Sequence, residues 1–119
     1  MQIETGKIIL GRGGKPFNDV VEGELVEVSL GPHILRMLDG MSVASMGDYR
    51  KAGRLADKIE DANGTAELTE DETATLKTVI EAAGAMRVDL RRSMEYLLWP
   101  DDLSSDEKGK IASWYGEVE

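Results

Sequence analysis

The chain has 119 residues, 41% hydrophobic and 31% charged, with 23 acidic side chains against 14 basic ones and a formal charge of -9 at pH 7. That length suits one domain spanning residues 1–119, and the apolar fraction excludes disorder throughout. Cysteine is absent and His33 is the lone histidine, which excludes disulfides, thiolate catalysis, Cys-based metal sites and any multi-histidine site within one chain.

The acidic balance opposes binding to a phosphate backbone, where clustered Lys and Arg are needed. No apolar run approaches the ~20 residues of a membrane span. Met1-Gln2-Ile3-Glu4-Thr5 lacks the basic-then-apolar pattern of a secretory signal, so the expected setting is the cytoplasm.

Residues 1–30 read as a β-rich arm or hairpin. Lys7-Ile8-Ile9-Leu10 is a short apolar run ended by Gly11-Arg12-Gly13-Gly14, and Val20 to Leu30 is rich in β-branched residues. Val26, Val28 and Leu30 share one side of an extended chain, with Glu27 and Ser29 between them. Leu25 points away from the Val26 face, which makes the strand two-sided. The expectation is two strands joined by a flexible glycine-rich loop, packed on the helices or on a partner because a lone hairpin is marginal in water.

The remainder, residues 31–119, reads as helical. Pro32 suits the first turn of a helix that runs to Asp39 and stops at Gly40, with Ile34, Leu35 and Leu38 as apolar positions. Met41 to Gly47 is a connector. From Asp48 to Asp61 or Ala62, the positions Tyr49, Ala52, Leu55, Ala56 and Ile59 follow a 3.6-residue period and predict an apolar stripe. Asn63-Gly64 stops that helix. Thr69 and Glu72 have capping-box spacing at the start of the next, whose stripe is Leu76, Val79, Ile80 and Ala83. Gly84 breaks or bends the chain. Val88 to Trp99 offers Leu90, Met94, Leu97 and Leu98 before Pro100 ends the helix. Ser104 or Ser105 then caps a last helix, with Ile111, Trp114 and Tyr115 as packing residues, and Gly116 to Glu119 is a tail.

Three apparent chemical motifs fail on their own geometry. Asp61, Asn63, Thr65 and Glu72 fall on the first, third, fifth and twelfth positions of a calcium loop, but Ala66 stands where the sharp turn needs glycine and Glu72 is accounted for by capping. Gly11-Arg12-Gly13-Gly14-Lys15 resembles half a phosphate-binding loop, but Pro16 replaces the Ser or Thr ligand. His33 and the carboxylates Glu22, Glu24, Glu27, Asp39 and Asp48 show no acid–base spacing. No cofactor or metal is expected. The interaction candidates are Arg87, Arg91 and Arg92, the densest basic patch, and the aromatics Trp99, Trp114 and Tyr115.

Residues 49–59 (Tyr49-Arg50-Lys51-Ala52-Gly53-Arg54-Leu55-Ala56-Asp57-Lys58-Ile59), then Ala66 to Glu72 and Leu76 to Ile80, resemble a pattern in small proteins of tailed double-stranded-DNA bacteriophages. The resemblance covers about residues 48–98 and contains no catalytic signature. It implies a viral accessory or morphogenesis protein of head or tail assembly, acting in the cytoplasm of a bacterial host or incorporated in the virion. No active residue carries over.

The sequence therefore leads to an α+β fold, with a short N-terminal β-hairpin or arm on a small, predominantly helical domain. Its expected function is that of a non-enzymatic protein–protein adaptor or assembly factor, with phage structural proteins or further copies of itself as partners and no membrane. The alternative is a nucleic-acid-associated regulator using the Arg-rich helix. A small hydrolase is a third class, for which no nucleophile or substrate is identified.

Overall fold

The computed structural model describes residues 1–40, 45–82 and 87–117. In chain order the elements are β1 (Gln2–Glu4), a 3-10 turn (Arg12–Gly14), β2 (Asn18–Val21), β3 (Glu24–Glu27), α1 (Leu30–Asp39), α2 (Met46–Asp61), β4 (Thr65–Glu67), α3 (Glu70–Ala82), α4 (Val88–Leu98), a second 3-10 turn (Pro100–Asp102) and α5 (Ser105–Trp114). The fold is mixed α+β, with short N-terminal strands and a mostly helical remainder. Most of the expected connector before Gly47, Ala83 of the α3 stripe, the expected bend at Gly84 and the last two tail residues lie outside the described residues. Packing divides the chain into two compact units, Met1–Lys7 with Ser29–Ala85 and Ile8–Val28 with Met86–Glu119.

The first unit joins three helices to a two-stranded ribbon. β1 pairs antiparallel with β4 in the register Gln2↔Glu67, Ile3↔Ala66 and Glu4↔Thr65. The period-2 alternation places Ile3 and Ala66 inside while their neighbours on each strand face water. Neither strand is apparent in the sequence reading, which treats Ala62 to Leu68 as a helix connection. Each is only three residues long, and the pairing joins segments some sixty residues apart, beyond the reach of local periodicity. The core is Ile3, Leu30, Ile34, Leu38, Leu55, Ile59, Ala66, Leu68, Leu76, Val79 and Ile80, all buried.

Helix starts in this unit differ from expectation in two places. α1 begins at Leu30, two residues before Pro32, with Ser29 as the flanking residue and the His33 N–H bonding to the Ser29 carbonyl at 3.0 Å. Proline is accommodated because the first-turn amides have no intrahelical partner to lose. α2 begins at Met46, where Ser45 Oγ accepts from the Asp48 N–H at 3.1 Å. Tyr49, assigned to the inward stripe, is instead 64% exposed. Leu55 and Ile59 are buried and Ala52 and Ala56 half-buried, so the stripe narrows to the later turns.

The capping box on α3 is complete. Thr69 Oγ1 accepts from the Glu72 N–H at 3.2 Å, and Glu72 Oε1 accepts from the Thr69 N–H at 2.8 Å. The same oxygen accepts from Lys58 Nζ at 2.7 Å, tying α2 to α3. Burial pushes the Glu72 carboxyl up, but the hydrogen bonds from Lys58 and Thr69 outweigh it and hold the group below the usual range. Glu72 is thus committed to the helix junction, and Thr65 of the apparent calcium loop lies in β4.

The second unit packs α4 and α5 with an irregular strand around Ile9. Ile9, Met94, Leu98, Ile111 and Ala112 are buried, with Ser93 as the buried polar residue. On α4 the inward positions are Ser93, Met94 and Leu98, whereas Leu90 and Leu97 are half-buried. Ser104 forms a capping box with Glu107 at the start of α5. The glycine-rich segment, expected to be flexible, is ordered by its own backbone. Gly11 N–H donates to the Lys15 carbonyl at 2.8 Å, Gly14 N–H donates to the Gly11 carbonyl at 3.0 Å, and Leu10 bridges to Pro16.

The hairpin also forms elsewhere than expected. β2 and β3 pair around the Glu22-Gly23 turn, in the register Asn18↔Glu27, Asp19↔Val26, Val20↔Leu25 and Val21↔Glu24. The chain from Val20 onward is therefore a reversal, not one strand. Both turn residues take positive φ, 53° at Glu22 and 82° at Gly23, as a type I′ turn requires to match strand twist. Glycine adopts that conformation freely, and glutamate does not. We expect Glu22→Asn to stabilise the hairpin by about 0.5–1 kcal/mol, read as slower amide exchange at Val21 and Glu24, the pair whose N–H groups cross the ribbon beside the turn. Unchanged or faster exchange would contradict the turn assignment.

Candidate interaction surface

The β2–β3 hairpin is anchored at its base. Ile9 N–H donates to the Val28 carbonyl at 2.9 Å, Val28 N–H to the Phe17 carbonyl at 2.8 Å, and Phe17 N–H to the Ile9 carbonyl at 3.4 Å. Beyond this anchor the ribbon is open on both faces. Cross-strand partners share a face, so Val20 and Leu25 stand together with Asn18 and Glu27, while Val21 and Val26 lie on the opposite side. Val20 is 64% and Leu25 72% exposed, and Val21 and Val26 are exposed as well. Glu22, Glu24 and Glu27 are also exposed, and no Lys or Arg occurs between Pro16 and Leu35. Four aliphatic side chains on a ribbon with two edge strands form an apolar element rimmed by negative charge, the type of surface a protein partner covers.

A second open surface lies on α2. Helical spacing places Met46, Tyr49, Arg50, Gly53 and Arg54 on the side opposite Leu55 and Ile59. Met46 is 65% exposed, and Arg50, Lys51 and Arg54 are exposed. These three cations form no ion pair among the described residues.

The six residues selected from sequence all fall in the second unit, where most of them have intramolecular contacts. The Arg87 guanidinium lies 5.5 Å from the centre of the Phe17 ring, and that of Arg92 lies 6.0 Å from the Trp114 ring. Arg91 Nε pairs with Glu95 Oε1 one turn along at 3.4 Å. Arg12 pairs with Asp89 at 3.5 Å, placing a carboxylate within the same helix face region. Tyr115 is half-buried and tied into its unit by its hydroxyl. Its hydroxyl accepts from the Leu10 N–H at 3.0 Å and shares a short hydrogen bond with buried Ser93 Oγ, while its ring stacks on Tyr96 at 5.6 Å. Burial pushes the phenol pKa up, partly offset by the Ser93 and Leu10 hydrogen bonds. Trp99 and Trp114 are half-buried. The structure thus brings together Arg92 with Trp114 and places Tyr115 close by in sequence at the end of α5.

The hairpin aliphatics are not among the six interaction candidates that residue type and spacing single out. One signal was available: Leu25 and Val26 require opposite faces, which a ribbon open on both sides accommodates. Among the described residues no group of three or more His, Asp or Glu could hold a metal, and no helix is long and apolar enough to cross a membrane.

His33 sits in the first turn of α1 with both ring nitrogens buried and without a hydrogen-bond partner among the described residues. Burial lowers its pKa from 6.5. The unfolded chain therefore binds a proton more readily than the fold, and stability rises with pH across the interval between the folded value and 6.5. Acidification below pH 6.5 should lower the melting temperature, and His33→Leu should flatten that slope down to the carboxylate range. An identical slope in the variant would show that another group carries it.

No protein-family model matches the chain, and no curated protein or solved structure matches it.

Proposed function

We propose that the protein is a protein–protein adaptor or assembly factor whose main contact element is the β2–β3 hairpin. The observation that carries this reading is the exposure of Val20, Val21, Leu25 and Val26 on a ribbon tied to Ile9 at its base. Leaving such side chains in water forgoes burial of roughly 1.5–3 kcal/mol each, and a partner's surface recovers part of that. The ribbon presents two strand edges for main-chain pairing and two apolar faces for side-chain selection. The resemblance of residues 48–98 to tailed-phage proteins supports placing this adaptor in head or tail morphogenesis.

The test compares wild-type protein with a Val20→Thr/Leu25→Thr variant, which keeps β-branched or strand-compatible shape while removing apolar surface. Proteins retained from source cells by the wild type are purified and titrated against both. Loss of at least about tenfold in affinity is expected for the variant, given the weight of central apolar anchors. Equal affinity for every retained protein would overturn the assignment of the hairpin. For the morphogenesis role, portal, capsid or tail genes beside the coding sequence are expected, and a metabolic operon there would count against it.

A further inference from the structure

Resting on the adaptor reading, we propose that one partner of the hairpin is a second copy of this chain, with β2–β3 of one copy docking on the outer face of α2 of the next. The two surfaces are complementary in charge. The hairpin carries exposed Glu22, Glu24 and Glu27 with no cation between Pro16 and Leu35, whereas the outer face of α2 carries exposed Arg50 and Arg54. They also match in polarity, since Val20 and Leu25 on one side meet exposed Met46 and Tyr49 on the other. Their dimensions agree. Strands of four residues extend about 13 Å, and the α2 face from Met46 to Asp57 extends about 17 Å.

Gly53 supplies an independent indication. It lies within α2, and a Cβ added there would meet nothing within 4 Å. Glycine in a helix interior costs about 1 kcal/mol relative to alanine, and nothing packed within the described chain requires it. Between Tyr49, Arg50 and Arg54 it leaves a shallow notch in which a strand edge can approach the helix backbone. Asp57 closes the far end of this face and opposes the hairpin's charge, which sets the favoured contact toward the Met46 end.

A net charge of -9 on each copy produces mutual repulsion at long range. Screening shortens that repulsion to about 8 Å near 0.15 M salt, while ion pairs in contact persist, and near 1 M salt the pairs weaken too. Association should therefore be strongest at moderate ionic strength. The contact joins two different patches, so it closes reciprocally as a dimer or propagates through further copies.

The test uses sedimentation equilibrium of the full chain and two charge-reversed forms. One carries Glu24→Lys and Glu27→Lys, the other Arg50→Glu and Arg54→Glu, all at exposed positions, with folding checked by circular dichroism. Wild-type mass should rise with concentration at about 0.15 M salt and fall back near 1 M. Each variant alone should associate at least about tenfold more weakly, and an equimolar mixture should recover association because each reversed surface meets its complement. Gly53→Ala should weaken self-association while raising the melting temperature. Wild-type protein that stays monomeric up to millimolar concentration, variants that associate like wild type, or a mixture that fails to recover would each overturn the self-docking. If self-docking fails while the Val20→Thr/Leu25→Thr variant still loses a different protein, the adaptor reading survives and only the second copy is ruled out.

Discussion

Replacing Gly31 by alanine should destabilise the first unit by about 2–4 kcal/mol, visible as a lower urea midpoint with an unchanged m-value. Gly31 is buried at the start of α1, where an added Cβ would stand 2.8 Å from Thr5 Cβ and 3.0 Å from the Thr5 carbonyl oxygen. The same approach is fixed by two hydrogen bonds, Gly31 N–H to the Thr5 carbonyl at 2.8 Å and Leu30 N–H to the Lys7 carbonyl at 2.9 Å. A methyl group has to move either the helix or the segment after β1, which stretches those bonds and disturbs buried Leu30 and Ile34. Gly53→Ala is the control, since it adds the same methyl to a helix at an open position and should stabilise by about 0.5–1 kcal/mol. Equal effects at the two positions would show that the approach at Gly31 is not a packing constraint.

Tyr115→Phe should cost the second unit about 2–3 kcal/mol despite keeping the aromatic ring. Removal of the hydroxyl leaves the Leu10 N–H without its acceptor and Ser93 Oγ without its partner in the interior. Adding Ser93→Ala to Tyr115→Phe removes one of the stranded groups, so the double substitution should cost less than the sum of the two single ones by about 1 kcal/mol. Strict additivity in denaturant titrations would mean that the two hydroxyls do not act as a pair. The same arrangement bears on Tyr115 as an interaction candidate: a side chain with this role inside its own unit alters binding through the unit's integrity.

Local grammar made much of the helical part legible. The Thr69–Glu72 box, the Ser104 cap, the stop before Gly64 and the buried positions Leu55, Ile59, Leu76, Val79 and Ile80 each follow from spacing within a few residues. The strands were harder because their evidence is non-local or weak. β1 depends on β4, and the Glu22-Gly23 turn uses a glutamate where Asn or Asp is the usual signal. Tyr49 obeys the helical period but lies before the turns that α2 buries, so period alone assigned it to the core. The interaction candidates were selected for residue type, Arg and aromatic, and such residues also suit internal stacking, as Arg87 on Phe17 and Arg92 on Trp114 illustrate. What residue type could not convey is that the exposed aliphatics would be gathered on a ribbon.

The way the two units share the chain has a consequence during synthesis. Residues 1–7 need β4 and the helices of residues 29–85, while residues 8–28 need α4 and α5. As the polypeptide leaves the ribosome, the valine-bearing ribbon emerges early and its anchor residue Ile9 waits for the last two helices to be made. Throughout that interval Ile9 lacks the helices that bury it in the finished unit, so the base of the ribbon is the part left waiting. Cutting the gene at residue 28 would likewise yield two fragments, neither containing a whole unit, whereas a cut at residue 85 would leave the first unit whole and divide the second.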